Sequence, residues 1–339
     1  MSKTSDLRIR RSRPLVAPRI LEEEIPVTAT SAERVDEARR QIGEIVHGRD
    51  PRLLLIVGPC SIHDLDAAGE YAERLIPVAQ SVANRALVVM RVYFEKPRTT
   101  VGWKGFINDP GLDGSFEVNA GLRGARQLLS EITQRNLPAA SEFLDTTFGQ
   151  YYSDFISWGA IGARTVESQV HRQLASGLSM PVGIKNRTDG NVEVAIDAVV
   201  AARESHHFPS LTKEGAPTLF ETTGNSDTHL VLRGGLQPNY DAASVASAAD
   251  ALAARGLDAG IVVDCSHANS GKNPARQAEC VESVLAQRRS GQERLIGLML
   301  ESHLVAGRQD EAITFGQSIT DACLGWGETV QLIERIAEG

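Results

Sequence analysis

No stretch of this 339-residue chain approaches the roughly 20 consecutive apolar residues that a membrane-spanning helix requires. A helical membrane protein is thereby excluded, and no membrane partner is expected. The opening Met-Ser-Lys-Thr-Ser-Asp-Leu-Arg-Ile-Arg-Arg lacks the apolar core of a secretory leader. Its Arg content resembles that of a transit peptide, but the acidic run Glu22-Glu23-Glu24 soon follows, so a cytoplasmic location is expected. There are only four cysteines, Cys60, Cys265, Cys280 and Cys323, and no CxxC pair. In the cytosol such spacing excludes a disulfide framework and leaves free thiols or metal ligands. Positive charge is also short: 35 Lys and Arg face 43 Asp and Glu, a net charge of −8, which argues against a general nucleic-acid binder. HExxH and similar local metal motifs are missing. So are low-complexity tracts and linkers, and no boundary divides the body of the chain.

What is present is a large core and a repeating pattern. Hydrophobic residues make up 42 % of the chain, enough for a sizeable core. Residues 1–48 run from basic through Pro-punctuated to acidic, then become helical over 31–48 with Ser31 as N-cap. They are expected to form an arm and helix with oligomer or regulatory contacts. From residue 49 to 339 short apolar runs alternate with amphipathic stretches. The runs fall at 53–57, 87–94, 137–141, 160–163, 182–185, 229–232, 261–264 and 295–300. Helices are predicted at 66–81, 119–134, 191–204, 240–255, 273–289 and 321–337. Apolar strands alternating with helices imply a parallel sheet covered by helices, and this many units imply a closed (β/α)₈ TIM barrel, an α/β fold. Residues 205–228, with Pro209, Gly215, Pro217 and Gly224, are expected to form an inserted β-hairpin.

Polar residues follow each apolar run. They include Gly58-Pro59-Cys60-Ser61-Ile62-His63-Asp64, Arg91 with Glu95-Lys96-Pro97-Arg98-Thr99, Glu142, Ala163-Arg164, Lys185, Arg233-Gly234-Gly235, Asp264-Cys265-Ser266-His267 and Glu301-Ser302-His303. In a barrel these strand ends converge on one rim, where active sites are built. Buried charges need partners, and a ligand with phosphates and carboxylates would supply them. Taken singly, each residue has an ordinary reading: Cys60 as a small core residue, His267 as a structural histidine, Asp321 as a first-turn helix acid, Glu301, Arg164 and Arg233 as members of ion pairs. Together they put a thiol, an imidazole and carboxylates beside many cations. Such a donor set disfavours Mg²⁺ and Ca²⁺ and admits Zn²⁺, Fe²⁺, Mn²⁺ or Co²⁺.

Long motifs then carry a resemblance. Gly58–Asp64, Arg91-Val-Tyr-Phe-Glu-Lys-Pro-Arg-Thr-Thr-Val-Gly-Trp-Lys-Gly105, Ser157-Trp-Gly-Ala-Ile-Gly-Ala-Arg-Thr165, Glu167-Ser-Gln-Val-His171, Leu232-Arg-Gly-Gly235, Val263-Asp-Cys-Ser-His-Ala-Asn-Ser270 and Ser318-Ile-Thr-Asp-Ala-Cys323 stand in this order. They resemble class I 3-deoxy-D-arabino-heptulosonate 7-phosphate (DAHP) synthase of the microbial, feedback-regulated type. The resemblance implies a metal-dependent condensation of phosphoenolpyruvate with erythrose 4-phosphate, the first step of the shikimate pathway. It implies a divalent metal on Cys60, His267, Glu301 and Asp321. Phosphoenolpyruvate would meet Ala163, its phosphate Arg164 and Arg233, its carboxylate Arg91 and Lys185. Lys96, Arg98 and Thr99 would meet erythrose 4-phosphate. Glu142 would lie beside the reacting centre, and Lys96 and His267 are candidates for moving protons.

The likeness also implies a dimer or tetramer and inhibition by an aromatic amino acid. The regulatory cavity would involve Gly149, Gln150, Ser179, Phe208 and Ser210. Gly149 stands where phenylalanine-sensitive members carry Pro and tryptophan-sensitive ones Gly, which implies tryptophan first and phenylalanine second. Arg187 departs from the family's Gly. Three other readings remain at this stage: a Schiff-base aldolase built on Lys185, a 3-deoxy-octulosonate 8-phosphate synthase, and an inactive barrel serving as a sensor.

Overall fold

The computed structural model describes residues 4–338; residues 1–3, the start of the arm, and Gly339 lie outside the described residues. A closed barrel of eight parallel strands forms the centre. In chain order the barrel strands are β1 (Leu53–Gly58), β2 (Ala86–Arg91), β3 (Ala139–Glu142), β4 (Trp158–Ile161), β5 (Val182–Lys185), β8 (His229–Leu232), β9 (Ile261–Asp264) and β10 (Leu295–Glu301). The antiparallel hairpin β6 (His207–Leu211) and β7 (Pro217–Glu221) interrupts that series where the Pro and Gly residues cluster. Short strands β11 (Val305–Arg308) and β12 (Gln317–Ser318) pair in the loop after β10.

The predicted helices are α2 (Ala29–Val46), α3 (Leu65–Ser81), α4 (Val118–Gln134), α7 (Glu193–Arg203), α8 (Ala242–Ala254), α9 (Gln277–Arg289) and α10 (Trp326–Glu338). The sequence pattern missed α1 (Pro18–Glu24), α5 (Gly149–Tyr152) and α6 (Gln169–Gly177), which are too short for a helical period to stand out. One cap is corrected: Thr28, not Ser31, caps α2, its side chain accepting from the Ser31 amide at 3.1 Å. Asp321 and the residues up to Gly325 precede the last helix rather than opening it.

Strand parity sorts the core into two layers. Leu53, Leu55, Val88, Met90, Ile184, Leu230, Leu232 and Val263 pack outward against the helices. Leu54, Ile56, Val89, Ala140, Trp158, Ala160, Val231, Val262, Ile296 and Met299 pack inside the barrel. Side chains alternate with period two, so the next inward position on each strand is fixed. Those positions are Gly58, Arg91, Glu142, Gly162, Lys185, Arg233, Asp264 and Glu301. The barrel therefore changes from an apolar interior to a ring of charge within one step on six of the eight strands, with glycine on the other two.

Its other end is stoppered. Ile42, Ile45 and Val46 of α2 join the interior cluster. The Gly260 amide donates to the Val46 carbonyl at 3.0 Å, and Arg39 donates to the Ile156 and Ser153 carbonyls at 2.9 and 2.8 Å. Just inside the stopper, Trp158 donates its indole N–H to Nε2 of His229 at 3.1 Å, while Nδ1 of His229 bonds the Asp227 carbonyl at 3.0 Å. The neutral ring with its proton on Nδ1 satisfies both contacts.

Candidate active site

The open end of the barrel holds a cavity of about 440 Å³. It is lined by Lys96, Arg98, Glu142, Ala163, Arg164, Lys185, Arg233, His267 and Asp321, all expected from the sequence, by Thr320 of the motif around Asp321, and by Lys272 and Arg308, which were not expected. Lys272 and Arg308 gave no signal, because each sits past its strand end in a loop whose path the sequence does not determine. A groove of similar size at the stoppered end is flanked by Glu37 and Arg52, whose charges are already matched by Arg40 and Asp50.

The cations surround the cavity from several strands. Arg164 is exposed at its edge and reaches Thr99 Oγ1 at 3.4 Å. Burial lowers the pKa of Arg233, and the nearby charge of Arg164 pushes the same way against Asp264. Two guanidiniums held close enough to repel make a fitting cradle for an anion with several oxygens. The Arg233 amide is fixed by the Asn186 side chain at 2.8 Å. Arg98 lies exposed, its Nε donating to the Trp103 carbonyl at 2.7 Å. Arg91 differs from its neighbours. It is fully buried below the cavity, with Nη2 3.1 Å from Glu301 Oε1 and its guanidinium 3.9 Å above the Tyr93 ring.

Beside the cations lies a donor group. Cys60 Sγ and carboxylate oxygens of Glu301 and Asp321 all lie within 4.8 Å of one another. Cys60 and Glu301 are buried, and Asp321 is half-buried. His267 does not point both nitrogens at them: Nε2 is 3.6 Å from Glu301 Oε1, while Nδ1 is 2.9 Å from Asp264 Oδ2. Burial, and then the Glu301 charge, raise the pKa of Cys60. A thiol and two carboxylates packed this closely repel when ionised, so a divalent cation fits the group. The expected fourth ligand, His267, lies outside it but turns Nε2 toward Glu301, and sulfur and imidazole donors together suit a transition metal.

Lys96 bridges the two halves. Its Nζ lies 3.1 Å from the Cys60 carbonyl and 3.2 Å from Cys60 Sγ. Burial disfavours its ammonium, but Cys60 and Glu301 outweigh that and raise its pKa. Opposite, the carboxylate of Glu142 occupies the space that a β-carbon on Gly162 would fill. Asp264, noted in sequence only as part of a motif, is fully buried at the centre of this network. Burial opposes its ionisation, but His267, Lys185 and Arg91 hold its pKa well below the usual carboxylate range. Its inward parity and its spacing of three from His267 were the available signals. Arg187 is held away from the cavity by Glu167 and Asp189 at 2.7 and 2.5 Å.

The suggested regulatory residues gather elsewhere. Gly149, Gln150, Ser179 and Phe208 line a second cavity of about 630 Å³ with Ser153, Lys213 and Phe220. Phe208 and Phe220 meet edge to face at 5.9 Å. Ser210 does not line it; its hydroxyl is buried without a partner among the described residues.

Known proteins resemble this chain along nearly its whole length. The phenylalanine-sensitive phospho-2-dehydro-3-deoxyheptonate aldolase of Escherichia coli K12 is 51% identical over 339 residues, 99% of this chain and 97% of that protein. The tryptophan-sensitive enzyme of the same strain is 50% identical over 341 residues, 99% of this chain and 98% of its own. The solved structure of the corresponding aldolase from Francisella tularensis SCHU S4 superposes with a TM-score of 0.95 at 47% identity, covering 97% of this chain and 98% of that one. The sequence profile of the DAHP synthetase I family matches residues 24–334. With a barrel, a ring of inward charge and relatives that all agree, the chain belongs to the DAHP synthetase I family.

Proposed function

We propose that this protein condenses phosphoenolpyruvate with erythrose 4-phosphate and water to give DAHP and inorganic phosphate, opening the shikimate pathway. The observation that carries the reading is the cation-lined cavity abutting the Cys60, Glu301 and Asp321 donor group. Arg164 and Arg233 take the phosphate of phosphoenolpyruvate, and Lys185 its carboxylate. Arg91 acts from below, through Glu301, or reaches the carboxylate after a side-chain shift. Arg98 and Thr99, exposed at the mouth, take the phosphate of the four-carbon aldehyde. Cys60, Glu301 and Asp321, with His267 beside them, would hold a divalent cation of the Mn²⁺, Co²⁺, Fe²⁺ or Zn²⁺ class, which would supply Lewis acidity toward the aldehyde.

Carbon 3 of phosphoenolpyruvate forms a bond to the aldehyde carbon, and carbon 2 becomes electron-poor. Lys96 is placed to deliver a proton to the resulting alkoxide. Glu142 orients a water toward carbon 2, and cleavage of the carbon 2–oxygen bond of the resulting adduct releases phosphate. The stoppered floor keeps bulk water out from below, which strengthens each charge contact. The Schiff-base alternative loses ground because Lys185 Nζ is engaged by Asp264 Oδ2 at 2.7 Å.

The second cavity is read as the seat of an aromatic effector, tryptophan before phenylalanine. The exposed apolar residues Leu7 and Ile9 of the arm are read as part of a homodimer or homotetramer contact. No described helix is long and apolar enough to cross a membrane, and a cytoplasmic location accords with this chemistry. The test is direct: incubate the metal-loaded protein with phosphoenolpyruvate and erythrose 4-phosphate and follow phosphate release and heptulosonate formation. Turnover with arabinose 5-phosphate instead would move the substrate assignment, and no turnover with either sugar would overturn the reading.

A further inference from the structure

The site divides into an anion half and a donor half, and one buried carboxylate touches both. Asp264 ends β9 and points into the barrel, with no accessible surface. Its Oδ2 accepts from Lys185 Nζ at 2.7 Å and lies 2.9 Å from His267 Nδ1. Its Oδ1 accepts from the Ser266 amide at 3.0 Å and the Ser266 hydroxyl at 2.5 Å. A buried carboxylate with these donors is fully satisfied and has little freedom to turn.

Two consequences follow. Nδ1 of His267 faces Asp264 Oδ2 at 2.9 Å and Ser266 Oγ at 2.7 Å, so Nε2 is the nitrogen presented to Glu301 and the donor group. The same oxygen fixes Lys185, which lines the cavity. His267 itself has a left-handed backbone, φ 53°, a conformation that persists only where surrounding contacts hold it. The Asp264 and Ser266 contacts do so from the side-chain end.

We propose that Asp264 is a positioning residue that couples the two halves of the site: it selects the nitrogen His267 presents to a divalent cation and, through the same oxygen, aims Lys185 at the carboxylate of the anionic substrate. Binding at one half then preorganises the other. The inference rests on the reading of function given above.

The experiment uses full-length wild type, Asp264→Asn and Lys185→Gln. Co²⁺ is titrated by the charge-transfer absorption of the Cys60 thiolate, and phosphoenolpyruvate by calorimetry, each with and without the other. In wild type each ligand tightens the other by the same factor, as linkage demands. Asp264→Asn is expected to weaken Co²⁺ by about 10- to 100-fold, to weaken phosphoenolpyruvate as well, and to abolish the cross-effect. Lys185→Gln is expected to weaken phosphoenolpyruvate and, by leaving Asp264 to His267 alone, to tighten Co²⁺. Wild-type affinities in Asp264→Asn, or a surviving cross-effect, would overturn the proposal. Should Asp264→Asn not fold, the double variant Asp264→Asn with Lys185→Gln removes both buried charges and takes its place. It should bind Co²⁺ more weakly than Lys185→Gln alone, and equal affinity would count against the coupling. A wild-type protein that binds neither probe refutes the functional reading itself, before any variant is compared.

Discussion

Gly162 and Glu142 share one space. The carboxylate oxygen Oε1 of Glu142 lies where a β-carbon on Gly162 would have to stand, so the glycine sets the direction of the acid. Because that oxygen is the far end of a flexible side chain, Gly162→Ala is expected to fold while turning Glu142 aside. A displacement near 1 Å can cost about 10²-fold in rate, so kcat should fall by roughly that factor with little change in melting temperature. Gly69→Ala is the control. It lies within α3 with nothing nearby to meet a new methyl, and should gain up to about 1 kcal/mol without altering kcat. An unchanged kcat in Gly162→Ala would remove Glu142 from the reacting centre.

Chelation tests the donor group. EDTA is expected to abolish turnover, and Mn²⁺ or Co²⁺ to restore it. Cys60→Ala should remain folded but fail to recover. A ligand at a hundred times its Kd stabilises the native state by about 2.7 kcal/mol, so added metal should raise the melting temperature of wild type and leave that of Cys60→Ala nearly unmoved. Full activity of either protein under chelation would rule out a metal role.

Burial pushes the pKa of His229 down to about 4. The unfolded chain takes up this proton near pH 6.5, and the folded one does not until about pH 4. Stability from the neutral ring is therefore complete above pH 6.5 and declines as pH falls toward 4, by about 3 kcal/mol in all. His303, likewise lowered to about 4 by burial, acts in the same window. His47 acts the other way: its bond to Asp227 raises its pKa, so its contribution is present at low pH and fades as pH rises through the raised value. Urea denaturation at pH 7, 6 and 5 should show a fall that is shallower in His229→Gln by about one proton. An equal slope in the two proteins would show that His229 titrates normally.

Effector choice can be read at Gly149. It is the first residue of α5, where a proline loses no helical hydrogen bond. A β-carbon there would meet the Phe143 ring at 3.3 Å, a contact a small ring shift relieves. Gly149→Pro is expected to leave basal turnover intact and to shift inhibition from tryptophan toward phenylalanine. Phe208→Ala should weaken inhibition by whichever amino acid acts. Titrating each amino acid into the assay decides, and identical inhibition curves in wild type and Gly149→Pro would detach this residue from effector choice.

The barrel was legible because each strand is apolar on both faces and each long helix carries its own period. The hairpin was legible from Pro209, Gly215, Pro217 and Gly224. Helices α1, α5 and α6 were not, since seven, four and nine residues give little periodic signal. The cavity lining was largely readable from strand ends and resemblance. Lys272 and Arg308 escaped because only the folded loops bring them back over the rim. The depth of Arg91 escaped too. Its strand position was visible in sequence, but its engagement with Glu301 and Tyr93 depends on strands that the chain order keeps far apart.

The stopper at the barrel's closed end has a consequence for biogenesis. Ile42, Ile45 and Val46 leave the ribosome before any barrel strand, yet the interior cluster they join includes Val262, Ile296 and Met299 from near the end of the chain. The nascent protein can therefore bury this helix completely only once translation is almost finished, although β1 and α4 pack on it earlier. Such non-local closure slows folding and exposes the chain to aggregation and chaperones. In this protein a segment made among the first completes its contacts only with strands made among the last.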